Sequence, residues 1–196
     1  DRNSWPLIGD AGAITIVEKC ADENPVYANI KMDGTGALVL KIPAGGARIP
    51  STPETAVMEE DTAGNFRSKD NLVMQGDEVF NFVQREVPPM IEHLYEQSGV
   101  DRNEVDWYMF HQPNKFMLHK LADKLGVPHE KMPANIVENF GNASGVTVPT
   151  CISYNLGEQL CNGTMQLCMA GFGVGLTWSS IMMKVGNLKF NQIIEY

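Results

Sequence analysis

From Gly76 onward, apolar residues return every three or four positions, at Val79, Phe80, Val83, Val87, Met90, Ile91, Leu94 and Tyr95. That interval is the stripe of a long amphipathic helix, which is stable only when its apolar face is covered. Pro88-Pro89 falls inside the stripe and removes two backbone donors, predicting a bend or a restart near Pro88. Val105 to Phe110 then reads as a strand, and Asn114 to Leu125 as a helix with Phe116, Met117, Leu121 and Leu125 inward. Gly126 is its expected C-terminal stop. Helix and strand therefore alternate, and the expected class is a layered α/β fold.

The remaining segments agree with that class. With 196 residues, 43% hydrophobic, the chain fills one sizeable core, and a single domain is expected. Ala13 to Val17 is short and β-branched, as in a strand buried on both faces. Val26 to Met32 reads as a second strand. Residues 33–70 mix Gly, Pro, Ser and Thr with scattered charge, which predicts a long irregular excursion. A small-residue loop, Phe140 to Gly145, feeds a helix expected from about Val146 to Leu160. Met165 to Ala170 and Thr177 to Val185 read as strands, and the link Gly171 to Gly175 is too short for a crossover, so the pair is expected to be antiparallel.

Charge and cysteine usage exclude several functions. Fifteen basic against 24 acidic residues give a formal net charge of -9, which argues against a general nucleic-acid or anionic-membrane binder. The four cysteines, Cys20, Cys151, Cys161 and Cys168, form no CxxC pair, and reduced thiols in the cytoplasm are expected. The opening residues have neither the basic nor the apolar region of a signal peptide, and no apolar run reaches membrane-spanning length. The triplets at Asn142 and Asn162 therefore carry no weight as glycosylation acceptors. No HExxH motif, His/Cys ligand pair, Walker loop or nucleophile elbow is present.

Two side chains stand out as chemical candidates. His111 follows Trp107-Tyr108-Met109-Phe110, and composition alone favours a structural histidine. Its position favours chemistry, because it sits just beyond the carboxyl end of a strand, where open α/β sheets place ligands. Beside it are Gln112, Pro113 and the potential helix cap Asn114. A neutral ring there could donate to a carbonyl oxygen as negative charge develops. Asn142 lies in a loop of Gly141, Ala143, Ser144 and Gly145 that lets donors approach a ligand, although alone it reads as an ordinary turn residue. Gly171-Phe172-Gly173-Val174-Gly175 is not a phosphate loop, because Leu176 replaces the third glycine and a strand follows.

Taken in order, His111-Gln112-Pro113-Asn114, Phe140 to Pro149 and Gly171 to Trp178 resemble the ketoacyl-acyl carrier protein synthase III family of thiolase-like condensing enzymes. Gly9 to Ala13 and the helix start Gly76 to Phe80 are also similar, so the likeness spans nearly all of residues 1–196. It covers only the carboxyl-terminal half of such an enzyme, implying a thiolase-like carboxyl-terminal domain with the amino-terminal half as its partner. The resemblance places the family's catalytic histidine and asparagine on His111 and Asn142, which would bind the thioester carbonyl of a malonyl donor and stabilise the enolate formed on decarboxylation. The family's nucleophilic cysteine belongs to the other half, and none of the four cysteines here stands in its setting, so the chain alone is expected to be inactive.

The same resemblance implies that Asn114 and Gly76 contact the pantetheine arm, Phe80 walls the acyl pocket, and Phe172 adjoins the nucleophile. Gly173 and Val174 belong to the oxyanion-hole segment, where valine keeps the backbone donor but departs from a common glycine. Pro113 and Phe140 are further departures, pointing to a specialised subfamily. No metal or organic cofactor is expected; acyl-CoA and malonyl-acyl carrier protein are the implied substrates, and a homodimer is implied at full length. Acyl carrier proteins are acidic, so docking would need a local basic patch, for which Lys115, Lys120 and Lys124 on one helix are candidates. A merely solvated helix face explains those lysines equally well. Polyketide or quinolone assembly, acyl transfer without decarboxylation, and a non-catalytic partner subunit remain as alternatives.

Overall fold

A computed structural model of the chain describes residues 4–19, 23–62 and 64–195; Cys20 lies outside them. In chain order the elements are β1 (Tyr27–Met32), β2 (Leu40–Lys41), β3 (Glu59–Glu60), β4 (Phe66–Arg67), β5 (Val73–Met74) and α1 (Gly76–Ser98). They continue with β6 (Trp107–Phe110), α2 (Lys115–Leu125), α3 (Ile136–Phe140), α4 (Thr147–Asn162), β7 (Thr164–Gly173) and β8 (Thr177–Gly186). The main sheet has the order β1-β8-β7-β6. Its β1–β8 and β7–β8 contacts are antiparallel, whereas β6 runs parallel to β7 with Trp107 opposite Leu167 and Phe110 opposite Ala170. A parallel pair needs a crossover, and the helices α2, α3 and α4 supply it.

Alternation along the central strands builds a core on each sheet face. Tyr108 and Phe110 of β6, with Cys168, Ala170 and Phe172 of β7, join the cluster formed by α1 and α2. Met109 and Leu167 point the other way, into the cluster with Cys151, Leu156 and Leu160 of α4. Because both faces of β6 and β7 are covered, these strands read as apolar on successive residues and not as alternating.

Helix α1 runs unbroken through Pro88 and Pro89, so the expected restart does not occur. Proline at position 88 leaves the carbonyl of Gln84, four residues earlier, without its helical donor. Lys124 on α2 replaces that donor, with Nζ 2.7 Å from the Gln84 oxygen. The helix ends at Gly99, whose φ of 67° lets its N–H reach the Tyr95 carbonyl.

Two other expectations fail. Residues 13–17 belong to no strand, and Ile14 and Val17 are 93% and 87% exposed, because no strand among the described residues lies beside them to complete a ladder. Phe116 points outward at 62% exposure and stacks on Phe80 with ring centroids 5.7 Å apart, while Met117 and Leu118 take the buried side of α2. Residues 33–70 are largely irregular, as expected, and their order comes from polar side chains. Thr55 donates through its hydroxyl to Asp70 at 2.8 Å, and the Asp61 carboxylate accepts from the Asn65 N–H at 2.9 Å.

Candidate active site

Strand β6 delivers His111. Its backbone N–H donates to the Ala170 carbonyl at 2.8 Å, which extends the parallel pairing one residue beyond the strand. The next residue, Gln112, is buried, and its amide nitrogen donates to the carbonyls of Phe110 and Pro133, each at 2.9 Å, tying the loop down. Asn114 then caps α2 by accepting from the Met117 N–H at 2.8 Å. His111 is thus held by the sheet on one side and by a capped helix on the other.

Asn142 reaches the same place from a separate loop. Its backbone N–H donates to the Leu7 carbonyl at 2.6 Å, and its carbonyl accepts from the Gly9 N–H at 3.2 Å. This close crossing requires glycine on both chains. A Cβ on Gly9 would meet the Phe140 oxygen at 2.0 Å, and Gly141 has φ of 73° with a Cβ position 2.7 Å from Gly9. The Asn142 side-chain oxygen accepts from the Ser144 N–H at 2.9 Å. With Oδ1 so engaged, Nδ2 is the end of the amide with no partner among the described residues.

His111 and Asn142 line one cavity of about 490 Å³. Leu40, Met74, Val79 and Met117 contribute to its apolar wall. The Phe172 ring meets the His111 ring edge-on, with centroids 5.4 Å apart. Burial lowers the imidazole pKa from 6.5 to about 4, against the opposing effect of a hydrogen bond to the Ser144 backbone, so the ring is neutral at pH 7. A neutral imidazole, a free amide donor and an apolar wall can hold a carbonyl-bearing ligand.

Of the other candidate residues, Gly76, Asn114, Phe172, Gly173 and Val174 line this cavity. Phe80 does not; its ring packs against Phe116 on the outer side of α2. Among the described residues no cysteine borders the cavity. Cys151 and Cys168 are buried in the two cores, which pushes the Cys151 thiol up to about 12 and that of Cys168 higher still, so neither is a thiolate at neutral pH. Lys115 lies 3.5 Å from Glu138, and Lys120 lies 3.9 Å from Asp123, in exposed ion pairs. Lys124 is committed to the Gln84 carbonyl, a helix-repair role that composition did not reveal.

Sequence reasoning missed Thr147, which is fully buried with its hydroxyl 2.6 Å from His111 Nδ1. The available signal was a hydroxyl residue in the first turn of a predicted helix, directly after the small-residue loop. It also missed Leu40, from the segment whose periodicity is poorest, and Leu72 and Met74 just after that segment, all of which reach the cavity.

Comparison with known proteins places this geometry in context. Residues 95–185 match the family model described as 3-oxoacyl-[acyl-carrier-protein] synthase III C terminal. A beta-ketoacyl-[acyl-carrier-protein] synthase III from Synechococcus sp. (strain WH7803) is 30% identical over 184 residues, covering 94% of this chain and 52% of the relative. The crystal structure of a 3-oxoacyl-(acyl-carrier protein) synthase from Burkholderia xenovorans LB400 superposes with a TM-score of 0.80 at 37% identity, over 91% of this chain and 49% of that one. A second 3-oxoacyl-(acyl-carrier-protein) synthase III structure gives 0.76 at 32% identity, over 87% and 50%. The chain thus spans about half the length of the curated relatives it matches.

Proposed function

Because the chain belongs to the 3-oxoacyl-[acyl-carrier-protein] synthase III family, with a thiolase-like α/β fold matching its carboxyl-terminal part, we propose that it is the half of a condensing enzyme that binds and polarises a thioester. The observation carrying this reading is the meeting of His111 and Asn142, from separate loops, on one cavity. The reaction is a decarboxylative Claisen condensation of an acyl thioester, such as acyl-CoA, with malonyl-acyl carrier protein. A carbonyl oxygen that gains negative charge as carbon dioxide leaves would be held by the Asn142 Nδ2–H and by His111 Nε2 once that nitrogen carries a proton. The apolar wall keeps water from the enolate. Asn114 and Gly76 would contact the pantetheine arm, and the Val174 N–H would join a donor from the other half in an oxyanion hole. No metal or organic cofactor enters this scheme.

The nucleophilic thiol would come from an amino-terminal half, and the chain alone would not form an acyl-enzyme. Acyl carrier protein would dock at Lys115 and Lys120; Lys124 is less available because it serves Gln84. The test combines the purified chain with the amino-terminal half of a matching synthase and follows carbon dioxide release from malonyl-acyl carrier protein. The expected result is no turnover for the chain alone, turnover for the combination, and a loss of at least about 100-fold with His111→Ala or Asn142→Ala, as for other lost oxyanion donors. Undiminished turnover in either variant would sink the reading.

A further inference from the structure

The hydroxyl of Thr147 is in contact with three groups whose hydrogen-bonding capacities differ. It lies 2.9 Å from the Ser144 carbonyl, 3.2 Å from the Gln112 backbone N–H and 2.6 Å from His111 Nδ1. A carbonyl only accepts, a backbone N–H only donates, and a hydroxyl has one proton and two lone pairs. The three contacts are satisfied together in a single way. The hydroxyl proton goes to Ser144, one lone pair accepts from Gln112, and the other must accept from the imidazole.

We propose that Thr147 is a positioning residue that fixes His111 in the tautomer protonated at Nδ1, so that Nε2 meets the cavity as a lone pair. Thr147 is suited to this because its hydroxyl cannot turn. It is fully buried at the start of α4, and its proton is held by a carbonyl three residues earlier in the same chain. The low proton affinity of the ring agrees with this picture, because a buried neutral imidazole has one proton to place and Thr147 determines where. Free of such a constraint, the ring could offer Nε2–H at once to a carbonyl ligand. Here Nε2 must first take up a proton, which the thiol of the amino-terminal half gives up as it becomes a thiolate nucleophile, and only then can it donate to an oxyanion.

The tautomer assignment stands on geometry alone, while its consequence for a thioester rests on the function proposed above. The experiment separates the two by using the unliganded chain. Long-range proton–nitrogen spectra of 15N-histidine-labelled protein at pH 7, with His111 assigned by its loss in His111→Gln, report which ring nitrogen is protonated. The expected spectrum shows Nδ1 protonated and Nε2 bare in the native chain and in Thr147→Ser, which keeps the hydroxyl. Thr147→Val, which keeps the shape, should move the ring toward Nε2–H. A native ring already protonated at Nε2 would overturn the proposal, as would a folded Thr147→Val protein with an unchanged ring. If the valine variant does not fold, the native and serine spectra still decide, because either one protonated at Nε2 contradicts the assignment.

Discussion

At the scale of single residues, the site depends on which polar atoms are already engaged. Ser144 donates its N–H to the Asn142 oxygen and accepts at its carbonyl from Thr147, so one loop residue orients both halves of the site. The neutral His111 has a consequence for stability. Its folded value of about 4 lies below the ordinary 6.5, so between those two pH values the unfolded chain binds a proton that the folded one does not. Stability should therefore fall as pH drops from about 6.5 toward 4, by roughly 3 kcal/mol in total, and level off below that. Urea unfolding of the native chain and of His111→Gln at pH 7 and pH 4.5 measures this directly. The native chain should lose more than the variant, and equal losses would show that the ring is not desolvated. His111 stood out in the sequence by its strand-end position and Asn142 through the family resemblance of its loop, but their partners did not, because Thr147 reaches His111 and Leu7 reaches Asn142 from distant parts of the chain.

Elements obey the sequence where the buried face is long and continuous. Apolar spacing located α1 and α2, and the glycines at 99 and 126 end them in left-handed conformations, as the sequence predicted for Gly126. The double proline does not restart the helix, because a break depends on whether the orphaned carbonyl finds another donor. Lys124 provides one from the neighbouring helix, and nothing local to Pro88 signals it. Removing that donor with Lys124→Met should cost about 1.5–3 kcal/mol, the range for a lost hydrogen bond to a charged group. Adding Pro88→Ala, which restores a backbone donor to Gln84, should shrink the cost of Lys124→Met. Equilibrium unfolding of the two single variants and the double variant gives the coupling, and strict additivity would mean that the contact is not replacing the helical bond.

For the molecule as a whole, shape and charge set the terms of any encounter. On the proposed function, the net charge of -9 would repel an acidic carrier at long range, so docking would rest on the short-range field of Lys115 and Lys120. Charge reversal at both, Lys115→Glu with Lys120→Glu, should weaken acyl carrier protein binding by about tenfold or more at low salt, with the difference shrinking as salt rises. Surface plasmon resonance across an ionic-strength series reads this, and unchanged low-salt affinity would place docking elsewhere. The sequence by itself determined the fold class, the positions of the long helices and the strand-end place of His111, because periodicity and strand-end placement are local properties of the chain. Only the tertiary structure decided that residues 13–17 stand exposed, that Phe80 leaves the cavity, and that one threonine hydroxyl meets a ring 36 residues away. Those outcomes depend on which groups from remote segments finally touch, and a hydrogen bond's direction is settled only when every one of its neighbours is known.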